Sequence, residues 1–591
     1  MRSVKLDTMH RSPVGYARAL PVILLPLLAL IVVAPLIAHG CSCGHDFEFH
    51  LQSWLDAAAQ MRHGTLDPAW TVTAAWNAGE PRFLFYPPLS WLLGALLALT
   101  MPLSATPIVF TAIALLGSGI AMYLLARDYA SPAVAFLASA VYVASPYMLF
   151  TAFERTAYGE LLAAAWIPLL LRAALRERPG IAGIAVPTAL LWLTNAPAAV
   201  IGIYTLTFIA VLRIAHALYQ RSRTTAQSLL IRFSAGGALG LALAAFYLVP
   251  AAYERRYVQV AMAIIANMRV EDNFLFGHTG DGPHDQVLHT ASLVALSMLI
   301  AAVIALAAAF VLRQKRLVTD TGNIATTPLP ILAAFTLCIA FLLTPLSLPF
   351  WHHLPEFAFL QFPWRMLCVL GATLALTIAL VLRSIPSTKS SIAVTAIIAL
   401  TFVGGMTAWK TPTFRQPCEA LDLPSARAQL FASHHGVEPT DEYTPTDADN
   451  DVLRWDDPDH WLATNPAGFA PGTVPNPAAT IINYDVPPPL AQTVSGVAPR
   501  HLEINLPQPE ILILNLRDFP AWQVFRNGSL VRQHLQRDDG LLAIALPAGA
   551  SVIDVRWHRT WDQILGDILS LLAVIVLGAL LLRSRTIKPD A

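Results

Sequence analysis

Long apolar runs recur along almost the whole chain and limit its fold more than any other feature. Most of them have the roughly 17–25 residues that an α-helix needs to cross the ~30 Å hydrocarbon core of a bilayer. Of the 591 residues, 55% are hydrophobic and 13% are charged, whereas soluble domains average about 25% charged residues. Lys plus Arg equals Asp plus Glu at 38 each, so no net field attracts a polyanion. The sequence predicts a polytopic membrane protein and excludes a cytosolic enzyme, a disordered scaffold and a nucleic-acid-binding protein.

Clusters of Lys and Arg predict which connections face the cytoplasm, because positively charged loops are retained on that side. The apolar runs lie at about 19–38, 88–103, 105–126, 132–150, 160–176, 182–200, 201–218, 229–250, 288–312, 329–348, 366–383, 391–409 and 563–582. If every run crossed the membrane, the basic clusters at 172–178 and 213–223 would lie outside. The conflict disappears if 88–126 crosses only once, so we predict 11–13 spans and a cytoplasmic amino terminus. These spans are nearly free of charge, which argues against an ion-coupled transporter.

The external segments that follow from this topology contain nearly all the polar residues suited to chemistry. They are 39–87, 151–159, 251–287, 349–364 and 410–562. Within the last of them, short runs of branched and aromatic residues at 511–516, 522–525, 541–546 and 552–557 predict β-strands, and Asn527-Gly528 predicts a hairpin turn.

The predicted fold is therefore an α-helical polytopic membrane protein with an external antiparallel β-sandwich domain. Its parts are a membrane domain at 1–409 with a first external loop at 39–87, an extended external segment at 410–500, the β-sandwich at 501–562, a final transmembrane helix at 563–582 and a cytoplasmic tail at 583–591.

The first external loop opens with an acidic residue at the edge of the membrane. After Gly44-His45-Asp46, apolar residues from Phe47 to Met61 recur at helical spacing, which predicts an amphipathic helix lying flat on the bilayer. His50 follows Asp46 by four residues and so shares its side of the helix. Two interpretations stay open: Asp46 caps the helix and His50 is a solvated polar residue, or Asp46 acts as a general base or as a ligand for a divalent cation.

Two further external segments combine charge with aromatic surroundings. In the first, Arg155 lies between Glu154 and Glu160; it either forms an ion pair with one of them or binds a phosphate at the membrane face. In the second, Gln361 and Arg365 follow a pair of His residues in an aromatic stretch at 349–366. Arg365 is either a snorkelling residue at the start of a span or a ligand for a lipid phosphate.

Metal and disulfide sites are less well defined by the sequence. The loop at 271–289 is rich in Asp and His, which suits either a metal site or an ordinary loop. Cys41, Cys43 and Cys418 lie in predicted external segments, and one of the first two is a candidate partner for Cys418. Cys41 and Cys43 are poorly placed to bond each other, because a single residue separates them.

These segments together resemble the bacterial membrane-protein family described as 6-pyruvoyl-tetrahydropterin synthase-related. The resemblance covers roughly the first 450 residues and is carried by Gly44-His45-Asp46 to His50, Phe85-Tyr86-Pro87-Pro88-Leu89, Arg155 to Glu160, and Phe359-Leu360-Gln361-Phe362-Pro363-Trp364-Arg365. The family's description does not fit the chain, because nothing in it encodes a compact soluble zinc enzyme.

The architecture also resembles the C-type fold of polyprenyl-phosphate-sugar glycosyltransferases. In those proteins an acidic residue starts the first external loop, a position that Asp46 matches. The chain has no second clear acidic motif; Glu80, Glu154 and Glu160 are the candidates. The β region at 511–557 is similar to the external end domain of bacterial membrane proteins linked to lipoteichoic-acid glycosylation.

The resemblance implies transfer of a sugar from a polyprenyl-phosphate carrier to an envelope glycan or protein on the outer face of the bacterial inner (plasma) membrane. Asp46 would be catalytic, a divalent cation stays open as its cofactor, and the partners would be a lipid-linked sugar and membrane lipid, with no nucleic acid. The substrate-binding candidates are His45, His50, Arg155, Glu160, Gln361 and Arg365. The alternative is a non-catalytic membrane protein that binds, scaffolds or flips an envelope polymer.

Overall fold

The computed structural model describes residues 13–319, 328–386, 388–464 and 496–586. Its helices, in chain order, are α1 (Pro13–His39), α2 (Phe47–Arg62), α3 (Arg82–Phe85), α4 (Pro88–Thr100), α5 (Thr106–Arg127), α6 (Pro132–Val143), α7 (Pro146–Leu149), α8 (Tyr158–Ala163), α9 (Trp166–Leu175), α10 (Ile181–Thr194), α11 (Ala196–Tyr219), α12 (Arg223–Leu243), α13 (Ala245–Glu254), α14 (Gly282–Thr319), α15 (Leu329–Leu342), α16 (Leu348–His353), α17 (Leu367–Val381), α18 (Lys389–Phe414), α19 (Pro424–Ala432) and α20 (Trp561–Thr586). The strands are β1 (His460–Thr464), β2 (His501–Leu506), β3 (Glu510–Arg517), β4 (Trp522–Arg526), β5 (Ser529–Val531), β6 (Leu541–Leu546) and β7 (Gly549–Trp557).

The helices confirm a multi-pass membrane protein. Among the described residues, 9 helical segments are long and apolar enough to cross a membrane, and the number rises to 11 if two bent helix pairs each count as a span. The count therefore meets the lower end of the predicted 11–13 only when both pairs are included. The helix at Pro88–Thr100 is apolar but short, in line with the prediction that this segment does not make a full crossing.

The described residues form two compact units, each assembled from three stretches of chain. The first unit lies within Met1–Phe47, Pro107–Ala238 and Arg269–Cys418, and the second lies within Glu48–Thr106, Leu239–Met268 and Glu419–Ala591. In the first unit α17 is the central helix, with almost every residue buried. Its Gly371 lies against the Tyr142 ring of α6, to which a Cβ would come within 3.5 Å.

The β region of the second unit consists of two antiparallel sheets. Their strand orders are β1-β3-β6 and β2-β7-β4-β5. Apolar side chains from both sheets, among them Leu512, Leu514, Val524 and Val555, belong to one buried cluster. This arrangement follows from period-2 alternation, which directs one face of each strand toward the core. The four strands predicted from sequence are confirmed as β3, β4, β6 and β7.

The predicted hairpin turn is also confirmed. Asn527 and Gly528 adopt φ values of 48° and 78° and connect the paired strands β4 and β5, as a tight two-residue hairpin turn requires. In contrast, β1 was not anticipated, because it lies in the Pro-rich segment at 410–500 and gains its hydrogen bonds only by pairing with β3. The remainder of that prediction, at 465–495, lies outside the described residues.

The predicted helix at the start of the first loop is confirmed as α2, but part of its polar side is buried rather than exposed. Gln52 and Asp56, which belong to the expected polar face, are 6% and 2% exposed. Asp56 Oδ2 accepts hydrogen bonds from the Val72 and Thr73 backbone N–H groups at 2.8 and 2.9 Å, and burial raises the pKa of the Asp56 carboxyl. These hydrogen bonds hold α2 against the part of the first loop that contains Val72 and Thr73, because buried carboxylate oxygens need hydrogen-bond donors.

Candidate active site

The residues before α2 are held tightly against the chain at 153–155. Ser42 Oγ donates to the Phe153 carbonyl at 2.6 Å, and the Asp46 N–H donates to the Arg155 carbonyl at 2.9 Å. Between them, Gly44 approaches so closely that a Cβ would lie 2.1 Å from the Glu154 carbonyl oxygen. Only glycine fits this contact, and the position of Asp46 follows from it.

A disulfide and two hydrogen bonds complete this arrangement. Cys43 is bonded to Cys418, while the Cys43 N–H donates to the Gln416 carbonyl at 2.9 Å and Gln416 Nε2 donates to Glu154 Oε2 at 2.8 Å. The pairing left open by the sequence is thus between Cys43 and Cys418. The Cys41 thiol is buried, and its Sγ lies 3.7 Å from Cys418 Sγ.

Four of the predicted site residues meet in one charged cluster of the first unit. Arg155 Nη1 donates to Glu160 Oε2 at 2.6 Å, and Arg155 Nη2 lies 3.6 Å from Asp46 Oδ2. Arg365 Nε lies 3.4 Å from the same Glu160 oxygen. Glu160 therefore stands between two guanidinium groups, and Asp46 contacts the outer side of one of them.

Exposure separates Asp46 from the other charged groups. The side chains of Arg155, Glu160 and Arg365 are 5%, 7% and 11% exposed, whereas that of Asp46 is 40% exposed. Burial disfavours the charged form of Arg155, but the carboxylates of Glu160 and Asp46 outweigh burial and raise the pKa of the guanidinium. The cluster thus presents an accessible carboxylate backed by permanently charged arginines.

The hydrogen bonds of Arg365 are incomplete, although its Nε contacts Glu160. Its Nη1 donates to the Leu360 carbonyl at 2.8 Å and to Gln361 Oε1 at 3.2 Å, but its buried Nε has no hydrogen-bond acceptor among the described residues. The guanidinium carbon lies 4.9 Å from the centre of the Phe362 ring, and that of Arg155 lies 5.8 Å from the same centre. Stacking on one ring holds both cations in place without consuming donors.

The backbone around the cluster departs from regular geometry. Phe150–Glu154 forms a single π-helical turn, a feature often found at functional sites. Thr156 and Gln361, which flank the two arginines, have φ values of 47° and 58°. Non-glycine residues rarely occupy this region, and a β-branched residue there is especially unfavourable. The fold thus maintains strained backbone on both sides of the charged cluster.

The two histidines proposed as site residues differ. His45 adjoins the cluster: desolvation lowers the pKa of its imidazole, Asp46 opposes this shift and Arg155 adds to it. His50 belongs to the second unit and is 2% exposed, with its ring 5.8 Å from that of Tyr86 and 6.1 Å from that of Trp54. The interpretation of His50 as a solvated residue is therefore wrong.

The other acidic candidates have structural partners. Glu80 Oε1 accepts from Arg82 Nε at 2.8 Å in the second unit, and Glu154 accepts from Gln416 as described above. Glu160 also accepts a hydrogen bond from the Tyr147 hydroxyl. Tyr147 was not predicted as a site residue, because no motif relates residues 13 positions apart across a helix break.

The charged cluster is poorly suited to a cation, because the carboxylates of Asp46 and Glu160 both face arginine guanidinium groups. The metal site considered at 271–289 is likewise not assembled: His284 contacts Asn273 at 3.0 Å, and His278 pairs with Asp285. Within the described part of the chain, the one close group of three or more His, Cys, Asp or Glu side chains is Cys41, Cys43 and Cys418, two of which are disulfide-bonded.

Comparison with known proteins adds two distant structural likenesses. No family model and no curated protein matches the chain, so the pterin synthase-related resemblance has no support. The chain is similar to the cryo-EM structure of arabinofuranosyltransferase AftD from Mycobacteria, with a TM-score of 0.40 and 16% identity over 69% of this chain and 27% of that one. A mutant of AftD gives a TM-score of 0.40 and 17% identity over 68% and 28%.

The chain spans little more than a quarter of the length of these solved chains.

Proposed function

We propose that the protein transfers a sugar from a polyprenyl-phosphate carrier to an acceptor hydroxyl at the membrane surface. The observation that carries this proposal is the cluster of Asp46, Arg155, Glu160 and Arg365, linked by contacts of 2.6–3.6 Å. It combines an accessible carboxylate with two buried cations. General-base catalysis next to stabilisation of an anionic leaving group needs this combination.

Asp46 is the proposed general base. Its side chain is 40% exposed and its contact with Arg155 is long, at 3.6 Å, so a carboxylate oxygen is free to accept a proton. As the acceptor oxygen attacks the anomeric carbon, its proton passes to Asp46. The bond from that carbon to the phosphate oxygen breaks, and the polyprenyl phosphate departs with the electron pair.

The two arginines are the proposed ligands for the phosphate. Arg365 Nε forms no hydrogen bond and is held only by its 3.4 Å contact with Glu160, and charged guanidinium donors bind phosphate strongly. Glu160 is a positioning residue that holds Arg155 and Arg365 together despite their like charge. Gln361 orients Arg365 through its amide oxygen, and His45 borders the place of the acceptor. No step is assigned to a metal ion.

The location of this chemistry follows from the charge pattern of the sequence. We infer a bacterial inner-membrane protein with a cytoplasmic amino terminus and with the charged cluster and β region on the external side, because the basic loops are expected inside. A donor that stays in the bilayer then meets an acceptor that arrives from the periplasm or cell surface. The acceptor class is an envelope glycan or protein.

An assay with membranes tests this proposal against the non-catalytic alternative. Membranes containing the protein are incubated with a polyprenyl-phosphate sugar labelled in the sugar, and label is followed into the water-soluble glycan fraction. Transfer above that of membranes lacking the protein supports the enzyme. Binding or movement of the labelled lipid without cleavage favours the non-catalytic alternative. One structural feature also favours that alternative: Glu160 is engaged by two arginines, so the cluster has no second exposed acid.

A further inference from the structure

Two carboxyl groups that take no part in the proposed reaction are buried together in the second unit. Glu254 is the last residue of α13, and Asp562 is the second residue of α20. They are 1% and 0% exposed. Burial, together with the adjacent Asp562 carboxyl, raises the pKa of Glu254 to about 7. Burial of a carboxylate is costly unless it is paired, protonated or bound to a metal.

The hydrogen bonds around these carboxyls are incomplete. Glu254 Oε1 accepts from Thr560 Oγ1 at 2.8 Å and from Gln563 Nε2 at 3.1 Å. Glu254 Oε2 and both oxygens of Asp562 are buried and receive no hydrogen bond from a donor group within the described ranges. The two carboxyls are close enough to hydrogen-bond to each other when one of them holds a proton. Buried polar atoms without partners are rare in native proteins and each calls for an explanation.

The basic side chains on the neighbouring elements are engaged elsewhere. Arg82 of α3 pairs with Glu80 at 2.8 Å, and the Arg256 guanidinium lies 3.7 Å from the centre of the Tyr253 ring. Arg559 pairs with Asp567 at 2.7 Å. Among the residues that the structure describes, no Lys, Arg or His forms an ion pair with Glu254 or Asp562, so the two negative charges lack a cationic side chain.

A single shared proton would compensate this pair only in part, since it would leave one negative charge and one unpaired oxygen buried. A divalent cation would neutralise both charges and satisfy all three oxygens. The potential ligands are the oxygens of the two carboxylates and the Thr560 hydroxyl, and reversal of the Gln563 amide, whose nitrogen faces Glu254 Oε1, would add its oxygen. Such a set suits calcium, which takes six to eight oxygen ligands in flexible geometry.

We propose that Glu254 and Asp562 bind a calcium ion that fastens α20 to α13. The two helices already pack closely below this point: a Cβ on Gly566 would lie 2.6 Å from the Ala245 carbonyl oxygen, and Ser570 Oγ accepts from the Phe246 N–H at 2.8 Å. The calcium ion links the C-terminal end of α13 to the N-terminal end of α20. It binds the folded protein selectively and therefore stabilises it by mass action.

The test uses the full-length protein in detergent at neutral pH. Its thermal midpoint is measured with a chelator and over a calcium titration. We expect a saturable rise of at least about 2 °C, the shift that roughly 1 kcal/mol produces in a large domain. In E254Q and D562N the rise disappears, while in chelator both variants are at least as stable as the wild type because a buried repulsion has been removed.

Two controls assign the effect to this pair. D567N changes an acid of α20 that is 44% exposed and should keep the calcium response, as should D46N. Terbium replaces calcium in a second readout: excitation of Tyr253 and Trp561, whose rings lie 4.6 Å apart, should sensitise its emission in the wild type and not in D562N. A midpoint that ignores calcium but varies with pH, or an equal calcium response in every variant, would overturn the proposal.

Discussion

Arg155 and Glu160 form the shortest ion pair of the charged cluster, with Arg155 Nη1 2.6 Å from Glu160 Oε2. Both side chains are almost completely buried, at 5% and 7% exposed. The sequence left open whether Arg155 pairs with a carboxylate or binds phosphate. The structure confirms the pair, yet the second terminal nitrogen of Arg155 faces the more exposed Asp46, so pairing and ligand binding are compatible.

Removal of Glu160 should destabilise the protein. E160A leaves Arg155 and Arg365 buried without their shared counter-ion, and loss of one partner of a buried pair typically costs about 3–5 kcal/mol. The free energy of unfolding in detergent measures the effect. E48A is the matched control: Glu48 is 52% exposed in its pair with Arg427, and such pairs contribute about 0–1 kcal/mol. Equal losses in the two variants would contradict the described burial.

Gly44→Ala should lower activity because it displaces the Asp46 segment. A Cβ at this position meets the Glu154 carbonyl oxygen at 2.1 Å, and backbone has to move to relieve the overlap. Gly405→Ala is the control, since a Cβ there meets nothing within 4 Å. Sugar transfer is measured for both variants after their thermal midpoints. We expect transfer to fall at least tenfold in Gly44→Ala alone; equal transfer in both would show that Asp46 does not depend on this contact.

The disulfide gives a chemical prediction. The chain has 5 Cys residues, and with Cys43 bonded to Cys418 the free thiols are Cys41, Cys338 and Cys368. Denatured, unreduced protein should therefore take up three maleimide groups, and the C43S variant should take up four unless Cys41 replaces Cys43 as the partner of Cys418. C338S should leave the disulfide intact and take up two. Five labels on the unreduced wild type would contradict the bond.

Stability of the β region should fall as the pH rises from about 4 to 7. Burial, reinforced by Asp539, raises the pKa of Asp457 from 3.8 to about 7. Its carboxyl therefore holds a proton in the folded state at pH values where the unfolded chain has lost it. The contribution of Asp457 to the free energy of unfolding is complete below the pKa that its carboxyl has in the unfolded chain. It decreases by up to about 1.4 kcal/mol per pH unit until the pKa in the folded state is passed.

The D457N variant isolates this contribution, because an amide does not titrate. Its thermal midpoint should vary less between pH 5 and pH 8 than that of the wild type. D456N is the comparison, since the Asp456 carboxylate is paired with Arg454 at 2.9 Å and ion pairing lowers its pKa. A wild-type midpoint that is constant over this range, or a D457N midpoint with the same slope, would contradict the assignment.

Local sequence signals predicted the elements of the fold well. The apolar runs gave the membrane helices, and alternation with Asn527-Gly528 gave the strands and their hairpin. These signals depend on neighbouring residues and require no knowledge of distant contacts. The strand at His460–Thr464 was missed because only pairing with β3 defines it. The polar face of α2 was misjudged because Asp56 is satisfied by backbone groups 16 and 17 residues away.

The candidate site was predicted as a set of residue types, and its geometry was not. Charge between two apolar runs indicates Arg155, the start of the first external loop indicates Asp46, and an aromatic stretch at the start of a span indicates Arg365. Nothing in their spacing indicated that Glu160 joins two arginines or that Phe362 lies beside both. Such contacts arise from the packing of helices that are far apart in sequence.

The most direct test compares Asp46→Asn with Asp128→Asn in the transfer assay with labelled polyprenyl-phosphate sugar. Asp128 is the matched control, because it is 28% exposed and pairs with Arg172 at 2.9 Å outside the charged cluster. The account predicts that Asp46→Asn lowers transfer by about 10²–10³-fold, the loss typical for a group that acts on the transition state, while Asp128→Asn transfers like the wild type. Wild-type transfer by Asp46→Asn would contradict the account.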